Sequence, residues 1–193
     1  ISVGGVALGV TALIVVLSVM NGFDNDLRDK ILGTNSHVVI LEHGKKGMKE
    51  YREVMEQASQ IKGVVSVAPF IYNQAMLTSA ESVQGVVIRG VDPAIETKVT
   101  NLGRNLKQGS LVGLFSSEEE GVSESGIILG IELVKNLSVS LGDKVNVVSP
   151  FGTPTPMGNV PRLKKFQVVG IFETGMFEYD SSLAYINLRD AQN

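Results

Sequence analysis

The chain holds 193 residues with a formal net charge of −3, two histidines and no cysteine. That length allows one or two domains with real cores. The charge balance offers no electrostatic footprint for a nucleic-acid partner. The lack of cysteine excludes disulfides and thiolate metal sites, and says little about compartment. The chain begins at Ile1 rather than at a methionine, which suggests a piece of a longer protein.

Ile1–Met20 carries no charge: fourteen of these residues are apolar, three are glycine and three are Ser or Thr. Twenty helical residues rise about 30 Å, the thickness of a bilayer's hydrocarbon core. A secretory signal would show a basic start and a small-residue cleavage site, and neither is present. A buried soluble helix would show a polar face. The expectation is a transmembrane helix, with Gly5 and Gly9 as a weak small-residue packing pair. Asn21–Leu32 turns amphipathic, with Phe23, Leu27 and Ile31 on one face and Gly33 suited to follow the helix end. One long helix leaving the membrane as a stalk is expected; a break at Asn21-Gly22 is the alternative.

Ser36–Leu41 is a β-branched run that reads as a strand. Met48–Ile61 reads as an amphipathic helix with Tyr51, Val54, Met55, Ala58 and Ile61 inward. Val64–Val67 begins a second strand, which Pro69 interrupts and Phe70–Thr78 continues, and Val83–Val91 forms a third. Asp92-Pro93 caps a short helix to about Val99. Asn101–Glu124 has loop composition, including the solvated run Glu118–Glu120. Gly126–Gly130 reads as a buried strand, Ile131–Asn136 as a helix and Leu141–Asp143 as a tight turn. The strand Lys144–Ser149 follows. After a proline-rich stretch come Leu163–Phe172, the segment Glu173–Ser182, a strand Leu183–Asn187 and a helix around Asp190.

That stretch, Pro150–Pro161, holds four of the chain's six prolines. Each proline fixes φ and removes a donor, so the loop is expected to stand outside its own sheet. It is also stiff, and loses little entropy when gripped. Phe151, Met157 and Val160 are apolar groups that a solvated turn does not need. Two readings stand: a long turn whose prolines discourage aggregation, or a preformed partner-binding loop.

Catalytic chemistry is hard to find. His37 and His43 would sit about 20 Å apart on one strand, too far to share a metal. Neither a nucleophile elbow nor a Walker A sequence occurs. Gly121–Gly126 has only loop composition, and no buried carboxylate pair is identifiable from pattern.

Several segments resemble one family. Thr155-Pro-Met-Gly-Asn-Val-Pro161, with the basic segment and Phe166 after it, looks like the hook of lipoprotein-releasing ABC transporter permeases. This is the LolC/LolE family, and the likeness is to its hook-bearing LolC-like type. Leu17–Phe23 with Ile31–Gly33 resembles the start of the same family. Val67–Phe70 and Gly85–Asp92 resemble its first periplasmic subdomain, called Porter. Ile128–Leu133, Leu141–Val145 and Phe177–Asp180 resemble the parts that follow. The resemblance implies an α+β periplasmic domain of two lobes, Porter-like and Sabre-like, with a MacB-like periplasmic core, preceded by a transmembrane and stalk helix. The implied division is 1–34 for helix and stalk, 35–91 for the first half of Porter, and 92–193 for the Sabre-like part carrying the hook. In the family, a second half of Porter and three more membrane helices follow.

The resemblance also implies function. The protein would be a permease subunit in a bacterial inner membrane, with residues from about 24 onward in the periplasm. Its implied partners are a cytoplasmic ATPase, a second permease, a lipoprotein substrate and a periplasmic carrier chaperone. The carrier would be gripped by Phe151, Gly152, Thr153, Pro154, Thr155, Pro156, Met157, Gly158, Asn159, Val160 and Pro161. Arg162, Lys164 and Lys165 at the hook's foot are candidates for polar contacts, or else a basic edge strand kept soluble. No cofactor, metal or catalytic residue is expected in this chain. The alternative is a MacB-like mechanotransmitting efflux permease exporting a drug or peptide; the fold alone does not choose between them.

Overall fold

A single helix, α1 (Ser2–Thr34), runs through both the apolar segment and the charged one that follows. No break occurs at Asn21-Gly22, because glycine in a membrane-length apolar helix costs too little to end it. This computed structural model describes residues 2–44, 47–115, 125–155 and 158–192. The 33 residues of α1 make it about 50 Å long, against the roughly 30 Å that a bilayer core requires. From Val3 to Arg28 every side chain is exposed, so none of the described residues covers its apolar surface. Asp26 and Lys30 pair one turn apart at 2.8 Å. The helix ends at Thr34, one residue past Gly33, which therefore lies inside the last turn. A Cβ at Gly33 would lie 2.6 Å from Asn101 Nδ2, the end of a side chain that can turn aside, so the close approach is one a small shift of Asn101 would relieve.

The next segments depart from expectation. Ser36–Leu41 forms no strand, and Val38 and Leu41 are each 77% exposed. Val64–Val67 is likewise unpaired among the described residues. Their composition favours strands, but a strand needs a neighbour, and no described segment supplies one. Between them α2 (Tyr51–Ser59) is shorter than its periodicity suggests. Its Tyr51, Val54, Met55 and Ala58 are the more covered positions, as expected, while Ile61 lies beyond the helix and is exposed.

The core is one seven-stranded sheet. Its strands are β1 (Phe70–Thr78), β2 (Val83–Val91), β3 (Leu106–Gly109), β4 (Ser125–Gly130), β5 (Lys144–Thr155), β6 (Gly158–Phe172) and β7 (Leu183–Asn187). They lie in the order β3-β6-β4-β7-β2-β1-β5, and β5 also pairs with β6. That last pairing closes six strands into a ring, with β3 attached at the far end of β6. The β4–β6 and β2–β7 pairs are parallel and the others antiparallel. The short helices α3 (Pro93–Val99), α4 (Leu102–Asn105), α5 (Ile131–Leu137), α6 (Phe177–Ser182) and α7 (Leu188–Gln192) fill the connections. α3 is the short helix expected after Asp92-Pro93, whereas α4, β3 and a 3-10 turn at Leu111–Leu114 all fall within the stretch expected to be loop from Asn101 onward. That stretch owes its order to tertiary contacts: Leu102 and Leu114 are buried in the second core cluster. The Glu118–Glu120 run and most of Gly121–Gly126 lie outside the described residues.

Two lobes divided at Asp92 are not what forms. β1 and β2, which precede that point, hydrogen-bond to β5 and β7, which follow it, so the boundaries 35–91 and 92–193 cut through one sheet. The physical reason is burial on both faces of the central strands. In β4, Ile127 and Leu129 join one core cluster with Leu77, Val86, Val145, Phe166 and Leu133, while Ile128 joins the other with Val91, Phe172 and Tyr185. Strands apolar on both faces belong inside a covered sheet. Close approach is tight where α5 begins: a Cβ on Gly130 would lie 2.3 Å from the carbonyl oxygen of Asp180.

Candidate functional site: a hairpin arm and the stalk junction

The proline-rich stretch is not a loop beside the sheet but the far end of two of its strands. β5 pairs with β1 only as far as Val148, and β6 begins pairing with β4 only at Phe166. Beyond Ser149↔Arg162 the two arms pair with each other, at Thr153↔Val160, Pro154↔Asn159 and Thr155↔Gly158. Between these sets the register shifts: Pro150, Phe151 and Gly152 stand against Pro161 alone. An irregularity with extra residues on one strand bends and twists a ribbon. The expectation that prolines keep the stretch out of a ladder is thus corrected for its arms. A proline removes one donor, and a two-stranded ribbon with free outer edges tolerates that. Pro156 and Met157 lie outside the described residues, as do the side chains from Pro150 to Val160.

The hairpin's foot is not one basic patch. Lys164 and Lys165 are consecutive on β6, so they project to opposite faces. Lys164 turns toward α7, where its Nζ lies 2.7 Å from Asp190 Oδ1 and 5.5 Å from the centre of the Phe166 ring. Ser125 Oγ donates to the same carboxylate oxygen at 3.1 Å. Arg162 and Lys165 are exposed, with Leu163 between them 64% exposed. Lys164 is therefore tied to α7, Lys165 projects from the opposite face with Leu163, and Arg162, two positions before Lys164, is exposed.

Sequence reasoning missed a second constellation, at the end of α1. Arg89 on β2 is 2% exposed. Its Nη2 lies 2.9 Å from Oε1 of Glu96 on α3, which is 1% exposed, and its Nη1 donates to the Thr34 carbonyl at 2.9 Å. Thr100 Oγ1 also donates to Glu96 Oε1, at 3.1 Å. The guanidinium stands 5.5 Å from the ring centres of Phe70 and Tyr72 and 5.8 Å from that of Tyr185. Tyr72 and Tyr185 are its cross-strand neighbours on β1 and β7. Burial raises the Glu96 carboxyl above its ordinary value, against the pull of Arg89 and the Thr100 hydroxyl. Burial also raises both tyrosines, against the same guanidinium. The one signal available was an arginine inside the apolar run Val86–Val91; its partner, Glu96, is not marked by any spacing. His37 and His43 are exposed, and no group of three or more potential metal ligands occurs among the described residues.

Comparison with known proteins now adds to this geometry. The family model of the MacB-like periplasmic core domain matches residues 1–193. The chain belongs to that family. It is 41% identical over 192 residues to the lipoprotein-releasing system transmembrane protein LolC of Neisseria meningitidis serogroup B, covering 100% of this chain and 45% of that one. It is 38% identical over 191 residues to the LolC protein of Xylella fastidiosa Temecula1, covering 99% and 44%. To the LolE protein of Haemophilus influenzae it is 30% identical over 195 residues, covering 97% and 44%. The chain thus spans a little under half the length of these relatives. The mixed α/β content and the single apolar N-terminal helix agree with what the resemblance implied.

Proposed function

We propose that this chain is the first membrane helix and part of the periplasmic domain of an ABC transporter permease that releases lipoproteins from the bacterial inner membrane. The geometry that carries the reading is the paired hairpin from Ser149 to Arg162, which runs past the last strands it shares with the sheet. The collinear identity to LolC proteins supports it. In this scheme α1 crosses the membrane from about Ile1 to Met20, and the chain from about Asp24 onward is periplasmic. The hairpin, Phe151–Pro161, holds the periplasmic carrier chaperone while lipoprotein acyl chains pass to it. ATP hydrolysis belongs to a separate cytoplasmic subunit, and a second permease completes the membrane part. Arg162 and Lys165 supply polar contacts at the foot, and Lys164 holds the foot to α7.

Energy at such interfaces concentrates in a few apolar anchors, and Met157 and Phe151 are the candidates in the hairpin. Met157→Asp would place a charge against an apolar site on the carrier. The expected loss is at least roughly 2 kcal/mol of carrier binding, about thirtyfold, by calorimetry. The melting temperature of the same variant should hold, since a side chain that serves a partner rather than the core contributes little to stability. Unchanged affinity would reduce the hairpin to a structural turn. A large drop in melting temperature would place Met157 in the core.

A further inference from the structure

The last turn of α1 is capped by the domain rather than by solvent. The Gly33 carbonyl accepts the Asn101 amide at 2.8 Å, and the Thr34 carbonyl accepts Arg89 Nη1 at 2.9 Å. Asn35 follows directly; its Nδ2 donates to the Tyr179 hydroxyl at 2.8 Å. Thr34 is 3% exposed. The helix has no basic residue in its own last turn, so the buried guanidinium supplies the positive charge its C-terminal dipole favours. Arg89 is at the same time part of β2, paired to α3 through Glu96 and flanked by β1 and β7 through Tyr72 and Tyr185. A helix that only tethered a domain would have no need of a desolvated ion pair at its end. Tilting the helix against the sheet would strip an acceptor from a guanidinium that water does not reach.

From Arg89 the connection runs through ladder bonds alone. β2 pairs with β1 from Phe70↔Val91 to Thr78↔Val83, β1 pairs with β5 at Met76↔Val148, and β5 carries the hairpin. We propose that the Arg89–Glu96 pair is a rigid joint that makes the stalk helix, the sheet and the hairpin arms move as one body. A tilt of the membrane helix is then delivered to the sheet and the arms of β5 and β6 instead of being absorbed at residues 34–36. This needs α1 to enter a membrane, but not any particular partner for the hairpin.

The test uses the full-length protein in lipid nanodiscs. Spin labels at Asp24 and Lys165 should give one narrow distance distribution. Arg89→Met with Glu96→Met removes both charges together and should at least double its width while the domain still melts cooperatively. Arg89→Lys, which keeps the charge, should fall between. An unchanged width in the folded double variant would overturn the joint. Should that variant not melt cooperatively, hydrogen exchange in the unaltered protein decides. The amides of Asn35 and Asn101 should exchange as slowly as those of Ile88 and Ile186, and exchange as fast as the exposed Lys62 amide would overturn the proposal. Carrier affinity in the same variants should not change, so a failed joint and a failed hook give different results.

Discussion

Replacing Arg89 by methionine is the sharpest perturbation the structure offers. It keeps most of the side-chain length and removes the charge. Glu96, 1% exposed, would then keep the Thr100 hydroxyl as its described donor, and the Thr34 carbonyl would lose the guanidinium. Removing one partner of a buried pair typically costs about 3–5 kcal/mol, because the other charge stays behind uncompensated. Glu96 already binds its proton more readily than an exposed carboxyl, so neutralisation offers partial relief and the lower end, about 3 kcal/mol, is expected at pH 7. For a domain of this size that is a fall of roughly 6–12 °C in Tm. Arg89→Met with Glu96→Met leaves no charge behind. It should cost only about 1–2 kcal/mol, the sum of the two hydrogen bonds left unmade. The assay is thermal and urea unfolding of the detergent-solubilised chain, followed by circular dichroism. A single variant costing under about 1 kcal/mol, or a double variant worse than the single, would show that Arg89 and Glu96 do not depend on each other as a buried pair.

Other outcomes follow from the same geometry. Gly130→Ala should destabilise by about 1–3 kcal/mol in the same melts, because the new Cβ meets the Asp180 backbone, and a silent substitution would mean that α5 can move away. Lys164→Met should cost about 1–2 kcal/mol by leaving Asp190 without its cation, while exposed Lys165→Ala should change stability by less than about 0.5 kcal/mol; equal effects would undo the division of the foot. Because burial raises the Glu96 pKa, the folded state holds that proton to higher pH than the unfolded chain does. Its contribution to stability is therefore full below the unfolded value and is lost as pH rises through the folded one. Melts between pH 4 and 8 should show this loss in Arg89-containing protein and not in Glu96→Gln, and a difference of opposite slope would mean that Arg89 outweighs burial.

Long-period patterns were legible in the sequence. The uncharged run, described from Ser2, and the stripe after it are one helix, because local hydrogen bonds and composition suffice to specify it over 33 residues. The runs at Phe70–Thr78, Val83–Val91 and Leu183–Asn187 became strands within the expected bounds. Leu141–Asp143 turns where glycine at φ +93° permits it. The proline-rich stretch was recognisable as a feature, and its motif pointed to a family that the comparisons bear out.

What composition did not reveal is which strand finds a neighbour. Ser36–Leu41 has strand chemistry and no described partner, whereas the proline-bearing arms of the hairpin pair because β5 and β6 already run side by side. The ring closure through β5 and β6, and the merging of residues on either side of Asp92 into one sheet, depend on contacts between residues far apart in the chain. Arg89 and Glu96 lie seven positions apart on a strand and a helix, with no periodicity to join them. Only the folded sheet carries the strand bearing Arg89 to the end of the stalk helix, and only burial turns a common arginine and a common glutamate into a charge pair that neither can lose alone.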